Sequence, residues 1–422
     1  MKKIPLHSLV LMIGPSGAGK TTLAKKHFNE FEIISAESIK HNLVGDATRQ
    51  DVNKEIYNEL HHRVRLKLKL GERVVVDSSN LKDRDRKKIA NLGDKAGVEI
   101  FYIVYNRPLV DKEATGGWRN DAGDLLKRQD DLFNKYETEI LSGDSIAEVV
   151  DARVDEFEAV QKLPKGDLFT EIKKRKFKGI TAIADIHAMR HSLKSAINWA
   201  TSRNHFMIFL GDIIDYGPKP IECFDDIYDI VMNGNGAIVY GNHERKIDRW
   251  IDQDRRGNVN LRLSNGNKVT INAIEKLTTF QRQQFESKFK GLMKVARNHF
   301  IVDNILFTHG AGHPDMWEKE EIRLKDRRLS SLALFGDIDD DLPPREDGYP
   351  NRIYTWCDDI PEGKICLVGH DIRSTGAPLV VNNDIGGQTV FLDTGSGKSG
   401  GLTSADIRFK TLPLKIETFN RH

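Results

Sequence analysis

The chain is poor in cysteine, in long apolar runs and in net charge. Only Cys223, Cys357 and Cys366 occur among 422 residues. Their number is odd and no pair has Cys-x-x-Cys spacing, so neither a disulfide framework nor a structural zinc site is suggested, and buried thiols are expected. The apolar run at 9–13 stops at Gly14 and Pro15, and no stretch approaches the roughly 18 apolar residues of a spanning helix. A signal-peptide core and a membrane span are therefore not expected, and a cytoplasmic location is. The 64 basic residues nearly cancel the 62 acidic ones, leaving a formal charge of +2, so any polyanion must be held by local clusters. What remains is an ordinary soluble composition, 39% hydrophobic and 30% charged, able to bury more than one core. Against a typical domain of about 150 residues, this length predicts two or three domains.

The fold class expected is α/β. Over residues 1–160, short apolar runs at 9–13, 33–34, 74–76, 100–105 and 149–154 alternate with helical patterns, which predicts a parallel sheet covered by helices. Residues 161–178 hold Pro164, Gly166 and the basic run Lys173, Lys174, Arg175, Lys176 and Lys178, and read as a linker whose charges form a solvated face rather than a nucleic-acid patch. A second domain, 179–422, shows runs at 180–184, 206–210, 237–240, 305–307, 365–368 and 390–392, most ending in Asp, Asn or His. Such runs read as strands delivering ligands to one sheet edge. Val259, Leu261 and Leu263, then Val269 and Ile271, alternate with polar residues around Ser264-Asn-Gly-Asn267, which predicts a hairpin inserted near Gly266.

Two constellations carry chemistry. The first, Gly14-Pro-Ser16-Gly17-Ala18-Gly19-Lys20-Thr21-Thr22, fits G-x-x-x-x-G-K-[ST] between an apolar strand and a helical run. Inward-turned amides and the helix N-terminus suit phosphate oxygens. Lys20 would reach the β- and γ-phosphates of ATP, and the Thr21 hydroxyl would ligate Mg²⁺. With Ser35-Ala-Glu37-Ser-Ile-Lys40 after the second strand and Val74-Val-Val-Asp77 after a long helix, this half resembles the polynucleotide 5′-kinases. The resemblance implies that Glu37 is general base on a 5′-hydroxyl, that Lys40 helps hold the nucleic acid, and that Arg119 is a lid arginine. Two departures stand out: Glu37 replaces the usual Asp, and Thr115 occupies the place of a second lid arginine, leaving Arg128 as the weaker candidate. Glu37 would serve equally as an acidic residue in a first helical turn after an N-cap at Ser35.

The second constellation is Asp185-x-His187, Gly211-Asp212-Ile-Ile-Asp215, Gly241-Asn242-His243-Glu244, His309-Gly310 and Gly369-His370, each after an apolar run. Residues i and i+2 share a strand face, so Asp185 and His187 could grip one ion together, and mixed oxygen and imidazole donors suit Mn²⁺, Fe or Ni²⁺. The order resembles the calcineurin-like metallophosphoesterases over residues 180–395, with a two-sheet sandwich flanked by helices. That resemblance implies one ion held by Asp185, His187 and Asp212 and a second by Asp212, Asn242, His309 and His370. His243 then serves as general acid, oriented by Asp215. His309 is preferred over His313 as ligand because it directly follows its strand, and Asp393 would support the site. Tyr216 stands where the family has a phosphate-binding Arg, so Arg190, Arg245, Lys246 or Arg373 would bind substrate phosphate, or Tyr216 would stack on a base.

Together the halves resemble bacterial and phage polynucleotide kinase-phosphatases. The implied activity is nucleic-acid end healing: ATP-dependent phosphorylation of a 5′-hydroxyl, and removal of a 3′-phosphate, 2′-phosphate or 2′,3′-cyclic phosphate by two divalent metals, with Mn²⁺ favoured. The implied partners are nucleic acid ends, RNA ahead of DNA, and a separate ligase acting afterwards; self-association stays open. The competing reading is a phosphatase acting on a dinucleoside polyphosphate or a phosphoprotein, fused to a P-loop kinase of other specificity.

Overall fold

The computed structural model describes all residues except 46–50, 116–121, 144, 165–167, 255, 258–259, 319–324, 340, 344–349 and 411. It divides into two compact units. The first comprises Met1–Gln161 together with Leu277–Gly291, the second Lys162–Lys276 together with Leu292–His422.

In the first unit, strands Ile33–Ser35, Val74–Asp77, Ser8–Ile13, Glu99–Val104 and Glu148–Asp151 form one sheet in that order, every pairing parallel. All six residues of Ser8–Ile13 are buried, as a central strand covered on both faces requires, which is why the sequence shows continuous apolar runs here rather than alternation. Helix Asn53–Lys69 inserts Ile56, Leu60, Val64 and Leu68, one per turn, against Leu9, Leu11, Val74 and Val76; each aliphatic side chain so buried contributes roughly 1.5–3 kcal/mol. The five expected strands are present, the last shorter than its apolar run because the chain turns at Asp151. The late segment closes the unit: Gln284 donates to the Asp94 carbonyl (2.7 Å), Ser287 donates to the Leu68 carbonyl (3.1 Å), and a Cβ on Gly71 would lie 2.4 Å from the Gly291 Cα.

The second unit is a sandwich of two five-stranded sheets. One runs Gly236–Ile238, His205–Phe209, Gly179–Ile183, Thr403–Arg408, Ile416–Arg421; the other runs His299–Val302, Ile305–Thr308, Ile365–Val368, Gln388–Phe391, Leu379–Asn382. Ile180, Phe206 and Ala405 from the first share one core with Phe300, Phe307, Leu367 and Val390 from the second. Leu168 and Ile172 of helix Leu168–Lys174 join that core, so this part of the expected linker belongs to the second unit, with Lys173 and Lys174 on its solvated side. All three cysteines are buried thiols.

The expected hairpin near Gly266 does not form. Asn265–Glu275 is a helix, capped by Ser264, whose hydroxyl accepts the Asn267 amide (3.3 Å) while Asn267 Oδ1 accepts the Ser264 amide (3.0 Å). The same Ser-Asn-Gly-Asn letters serve a turn or a capping box, and here the inward set Thr270, Ile271 and Ile274 has helical spacing. Val259 lies outside the described residues.

Candidate active sites

In the first unit the strand Ser8–Ile13 runs into the glycine loop, and helix Lys20–His27 leaves it. Only glycine fits at position 14, where φ is 153° and a Cβ would stand 2.1 Å from the Tyr105 carbonyl oxygen. The loop places Ser16, Gly17, Ala18 and Gly19 around the helix start, with Thr22 in its first turn. Lys20 is 7% exposed and its ammonium folds back to donate to the Pro15 carbonyl (2.7 Å). Burial pulls that ammonium from 10.5 down to about 8, against the charge of Asp77 and helped by Lys112. The Thr21 hydroxyl donates to Asp77 Oδ2 (2.7 Å). Asp77 ends the neighbouring strand, and its hydroxyl–carboxylate pairing with Thr21 is the hard oxygen donor set that Mg²⁺ takes. Sequence reasoning assigned Asp77 no role, although an apolar strand ending in Asp beside a phosphate loop was a readable signal. Gln129 also went unassigned; its Oε1 accepts the Ser16 amide (2.6 Å), and nothing in the sequence ties that helix position to the loop.

A cavity of about 320 Å³ opens beside Thr21 and Asp77, lined also by Ser35, Ser38, Lys25 and Arg63. Glu37 lies exposed in the first turn of helix Ala36–Val44, which Ser35 caps by accepting the Ser38 amide (3.3 Å). Lys40 is 8% exposed. Ser35 and Ser38 line the cavity; Glu37 and Lys40 are not among the residues that do. Arg119 lies outside the described residues, and Arg128 is exposed on helix Ala122–Ser142.

In the second unit the ligand candidates converge beyond the strand ends. Gly179–Ile183 stops before Asp185 and His187, so these two do not share a strand face as the spacing suggested. Both sit in a turn, and Asp185, His187, Asp212, Asp215, Tyr216 and His370 all have φ between 46° and 73°, a region non-glycine residues enter at a cost and at which functional sites concentrate. Ligand atoms of His187, Asp212 and His243 lie within 4.8 Å of one another, and so do those of Asp212, His309 and His370. Asp212 belongs to both sets. Asn242 joins the second through Oδ1, 2.9 Å from His309 Nε2. Asp185 belongs to neither set; its two oxygens accept the His370 amide at 3.0 and 2.8 Å.

The donors are prepared for cations. His187 Nδ1 donates to the Ile214 carbonyl (3.1 Å) and His309 Nδ1 to the Leu210 carbonyl (2.7 Å), which leaves each Nε2 as a lone pair turned inward. His187 Nε2, His370 Nδ1 and Asp393 Oδ2 are buried polar atoms with no hydrogen-bond partner. Burial, with Asp393 and Asp212 adding, pushes the Asp185 carboxyl well above the usual range, and burial pushes Asp393 up to about 6. Burial would also raise Asp212, yet the imidazoles of His243, His309, His187 and His370 hold it well below the usual range. Orphaned imidazole nitrogens among crowded buried carboxylates fit a pair of divalent ions, and His187, Asp212, Asn242, His309 and His370 would hold them, with Asp185 beside them bonded to the His370 amide. Ions bound there would supply Lewis-acid charge to a phosphoryl group.

His243 is prepared for a different task. Burial pulls its imidazole down, but Asp212 and then Asp215 more than offset this and the net direction is upward, which favours the protonated form that a general acid needs. Asp215 accepts from His243 Nδ1, and is itself held by Asn267 Nδ2 and the Thr270 hydroxyl. Both come from the helix that replaces the expected hairpin, so sequence reasoning missed them. Glu244, inside a recognised motif but given no role, accepts the amides of Asp212 (2.8 Å) and Ile213 (2.9 Å) and so fixes the Asp212 turn. Asn267→Leu and Thr270→Val are each expected to lower phosphoester turnover roughly tenfold by loosening Asp215. Hydrolysis of p-nitrophenyl phosphate beside a thermal melt checks this, and turnover at the wild-type rate in both variants contradicts it.

The proposed phosphate contacts lie differently. Arg190 pairs with Asp226 (2.9 Å), Arg245 lies over the Phe335 ring at 5.5 Å, and Arg373 lies over Tyr354 at 3.8 Å. Lys246 is half-buried on helix Asn242–Asp254. Tyr216 packs edge-on against His187, ring centroids 4.9 Å apart, and against His243 at 5.5 Å. His309 is buried at the centre, whereas His313 accepts the Asp315 amide (3.2 Å) away from it.

Residues 9–112 match the model of the AAA domain, and residues 179–374 that of the calcineurin-like phosphoesterases. The chain is 27% identical over 216 residues to a bis(5′-nucleosyl)-tetraphosphatase PrpE [asymmetrical] of Bacillus mycoides (strain KBAB4), covering 50% of this chain and 80% of that one. It is 28% identical over 200 residues to the protein of that name from Bacillus subtilis (strain 168), covering 47% and 73%. A metallophosphoesterase structure from Sphaerobacter thermophilus matches with a TM-score of 0.32 at 17% identity, covering 58% of this chain and 88% of that one. Among the described residues no helix is long and apolar enough to cross a membrane.

Proposed function

From a chain that carries a kinase-like AAA domain followed by a calcineurin-like phosphoesterase domain, we propose a bifunctional enzyme that heals broken nucleic acid ends, RNA ahead of DNA. The observation that carries the proposal is the presence in one chain of a phosphate loop with its Thr21–Asp77 pair and a carboxylate–imidazole centre with the Asp215-oriented His243. One site is fitted to add a phosphate, the other to remove one. The loop amides and Lys20 hold the phosphates of ATP with Mg²⁺ at Thr21. Glu37 takes the proton of a 5′-hydroxyl as that oxygen bonds to the γ-phosphorus and the bond to ADP breaks, Lys40 helps seat the strand, and Arg119, outside the described residues, is assigned the lid-arginine role by resemblance alone. At the second centre, which two divalent ions, Mn²⁺ favoured, would occupy, a water oxygen bonds to the phosphorus as its bond to the 3′ ribose oxygen breaks; His243 gives its Nε2 proton to that leaving oxygen, Asp215 holds Nδ1–H and stabilises the imidazolium before transfer, and inorganic phosphate is released. A ligase would then join the healed ends.

A second reading is favoured by the names of the curated relatives: hydrolysis of a dinucleoside tetraphosphate, with Tyr216 stacked on a base. One experiment separates the two. An RNA oligonucleotide with 5′-hydroxyl and 3′-phosphate ends is incubated with ATP, Mg²⁺ and Mn²⁺, beside a parallel reaction on diadenosine tetraphosphate. End healing predicts that both RNA ends change, that Lys20→Ala abolishes only the 5′ step, and that Asp185→Asn abolishes only the 3′ step. Cleavage of the dinucleotide with both RNA ends untouched replaces the first reading by the second.

A further inference from the structure

The phosphoesterase centre presents buried carboxylates from Asp185, Asp212 and Asp393, so a phosphate dianion approaching it needs a cation reaching in from the rim as well as the bound ions. The arginines nearest the motifs are engaged elsewhere. Arg190 lies on Asp226, Arg373 on Tyr354, and Arg352 donates to the Phe335 carbonyl and to His370 Nε2 (2.7 Å). A further cation comes from the segment Gly395-Ser-Gly-Lys398-Ser-Gly-Gly401, which follows Asp393 and had been assigned no role.

That segment is a tight turn fastened onto the ligand loop. The amides of Lys398 and Ser399 (both 3.0 Å) and Gly400 (2.8 Å) all donate to the Gly395 carbonyl, and the Gly395 amide donates to Asp393 Oδ1 (2.8 Å). The Ser396 hydroxyl donates to the Ile186 carbonyl (3.0 Å), between Asp185 and His187. Gly397 lies so near His187 that a Cβ would stand 2.8 Å from the His187 Cβ. The turn therefore moves with the metal ligands, and it projects one cation. Lys398 Nζ stands 4.7 Å from the centroid of Tyr216, the ring that packs against both His187 and His243. Its side chain is exposed and has the length to swing onto an incoming anion.

We propose that Lys398 is the rim cation that receives the outer oxygens of the substrate's phosphate, with Tyr216 as the platform along which its ammonium is held. The proposal rests on the phosphoesterase reading of this centre. It gives the Lys398–Tyr216 pair a place in recognition: the aromatic face keeps the ammonium beside the imidazoles without neutralising it, as a carboxylate partner would.

The test uses the full chain loaded with Mn²⁺ and two binding titrations, one with inorganic phosphate and one with Mn²⁺ itself. Lys398→Met is expected to weaken phosphate binding roughly 10- to 100-fold, the loss of one charge-assisted contact. Lys398→Arg is expected to keep most of that affinity. Mn²⁺ affinity in Lys398→Met should be unchanged or tighter, because a cation that repels the ions has been removed. A turn that acts only as scaffold would instead lose Mn²⁺ and phosphate together, which overturns the proposal, as does phosphate affinity within about twofold of wild type. If phosphate and Mn²⁺ behave as expected and no phosphoester tried is hydrolysed, the reading of the centre as a hydrolase fails while the assignment of Lys398 as its phosphate contact stands.

Discussion

Asp212→Asn is expected to lower phosphoester hydrolysis by roughly a thousandfold or more, the scale at which several kcal/mol of charge stabilisation are lost. Asp212 is the residue common to both ligand groups: Oδ1 lies 3.4 Å from His309 Nε2, and Oδ2 lies 3.6 Å from His243 Nε2 and 4.0 Å from His187 Nε2. Asparagine keeps the shape of the side chain, keeps an oxygen for the His243 amide (3.1 Å), and tolerates the left-handed backbone at φ 50°. What it removes is charge. The buried environment that holds Asp212 ionised through four imidazoles then has nothing to bridge two cations. The variant should retain its fold and lose bound Mn²⁺, measured by elemental analysis of the dialysed protein beside steady-state turnover. Retention of both ions with turnover within about tenfold of wild type would remove Asp212 from the bridging position.

Lys20→Met is the second large effect, and its two consequences have opposite signs. ATP-dependent phosphoryl transfer should fall roughly a thousandfold, since the lysine contributes electrostatically to a step in which the protein does little else. The nucleotide-free first unit should become more stable. Lys20 has its pKa lowered from 10.5 to about 8 by burial, so between those values the unfolded chain binds more protons than the folded one and stability rises with pH. Below pH 8 the folded state carries the whole penalty of a buried ammonium, about 3 kcal/mol. Methionine fills the same volume without it, so the melting temperature near pH 7 should rise by a few degrees and the gain should shrink toward pH 10. A lower melting temperature at pH 7 would show that the Pro15 contact outweighs the burial cost.

What the sequence disclosed follows from the range over which each feature is set. The phosphate loop and the five metal motifs were legible because each is a short string whose backbone geometry is local: a strand end, a glycine, a ligand. The parallel sheet was legible because strands covered on both faces must be continuously apolar. The supporting residues were not. Asn267 and Thr270 reach Asp215 from more than fifty positions away, and the Ser264–Asn267 letters fit a hairpin turn as well as the capping box they form. Arg352 on His370 and Gln129 on Ser16 depend on tertiary placement that no spacing encodes. Asp185 and His187 were placed on a strand because the period of two was right, but the left-handed turn that carries them leaves no mark in composition. Lys398 stood in a segment that matched nothing, and became interpretable only once Ser396 and Gly397 were seen fastened to the ligand turn.

The membership of the first unit bears on how the protein is made. Its sheet is finished by Asp151, yet Leu277–Gly291 belongs to the same compact unit, so the unit's last piece leaves the ribosome about 130 residues after Gln161. At ordinary synthesis rates the nascent sheet waits on the order of ten seconds for it. Through that interval the Leu68 and Asp94 carbonyls keep the Gly71 and Gly97 amides (both 2.9 Å) and lack the Ser287 hydroxyl and the Gln284 amide that later join them. A polypeptide ending at residue 161 keeps every nucleotide-loop residue and still lacks part of its own wall, so dissecting the two activities by truncation tests an unfinished fold, whereas single substitutions in the full chain do not.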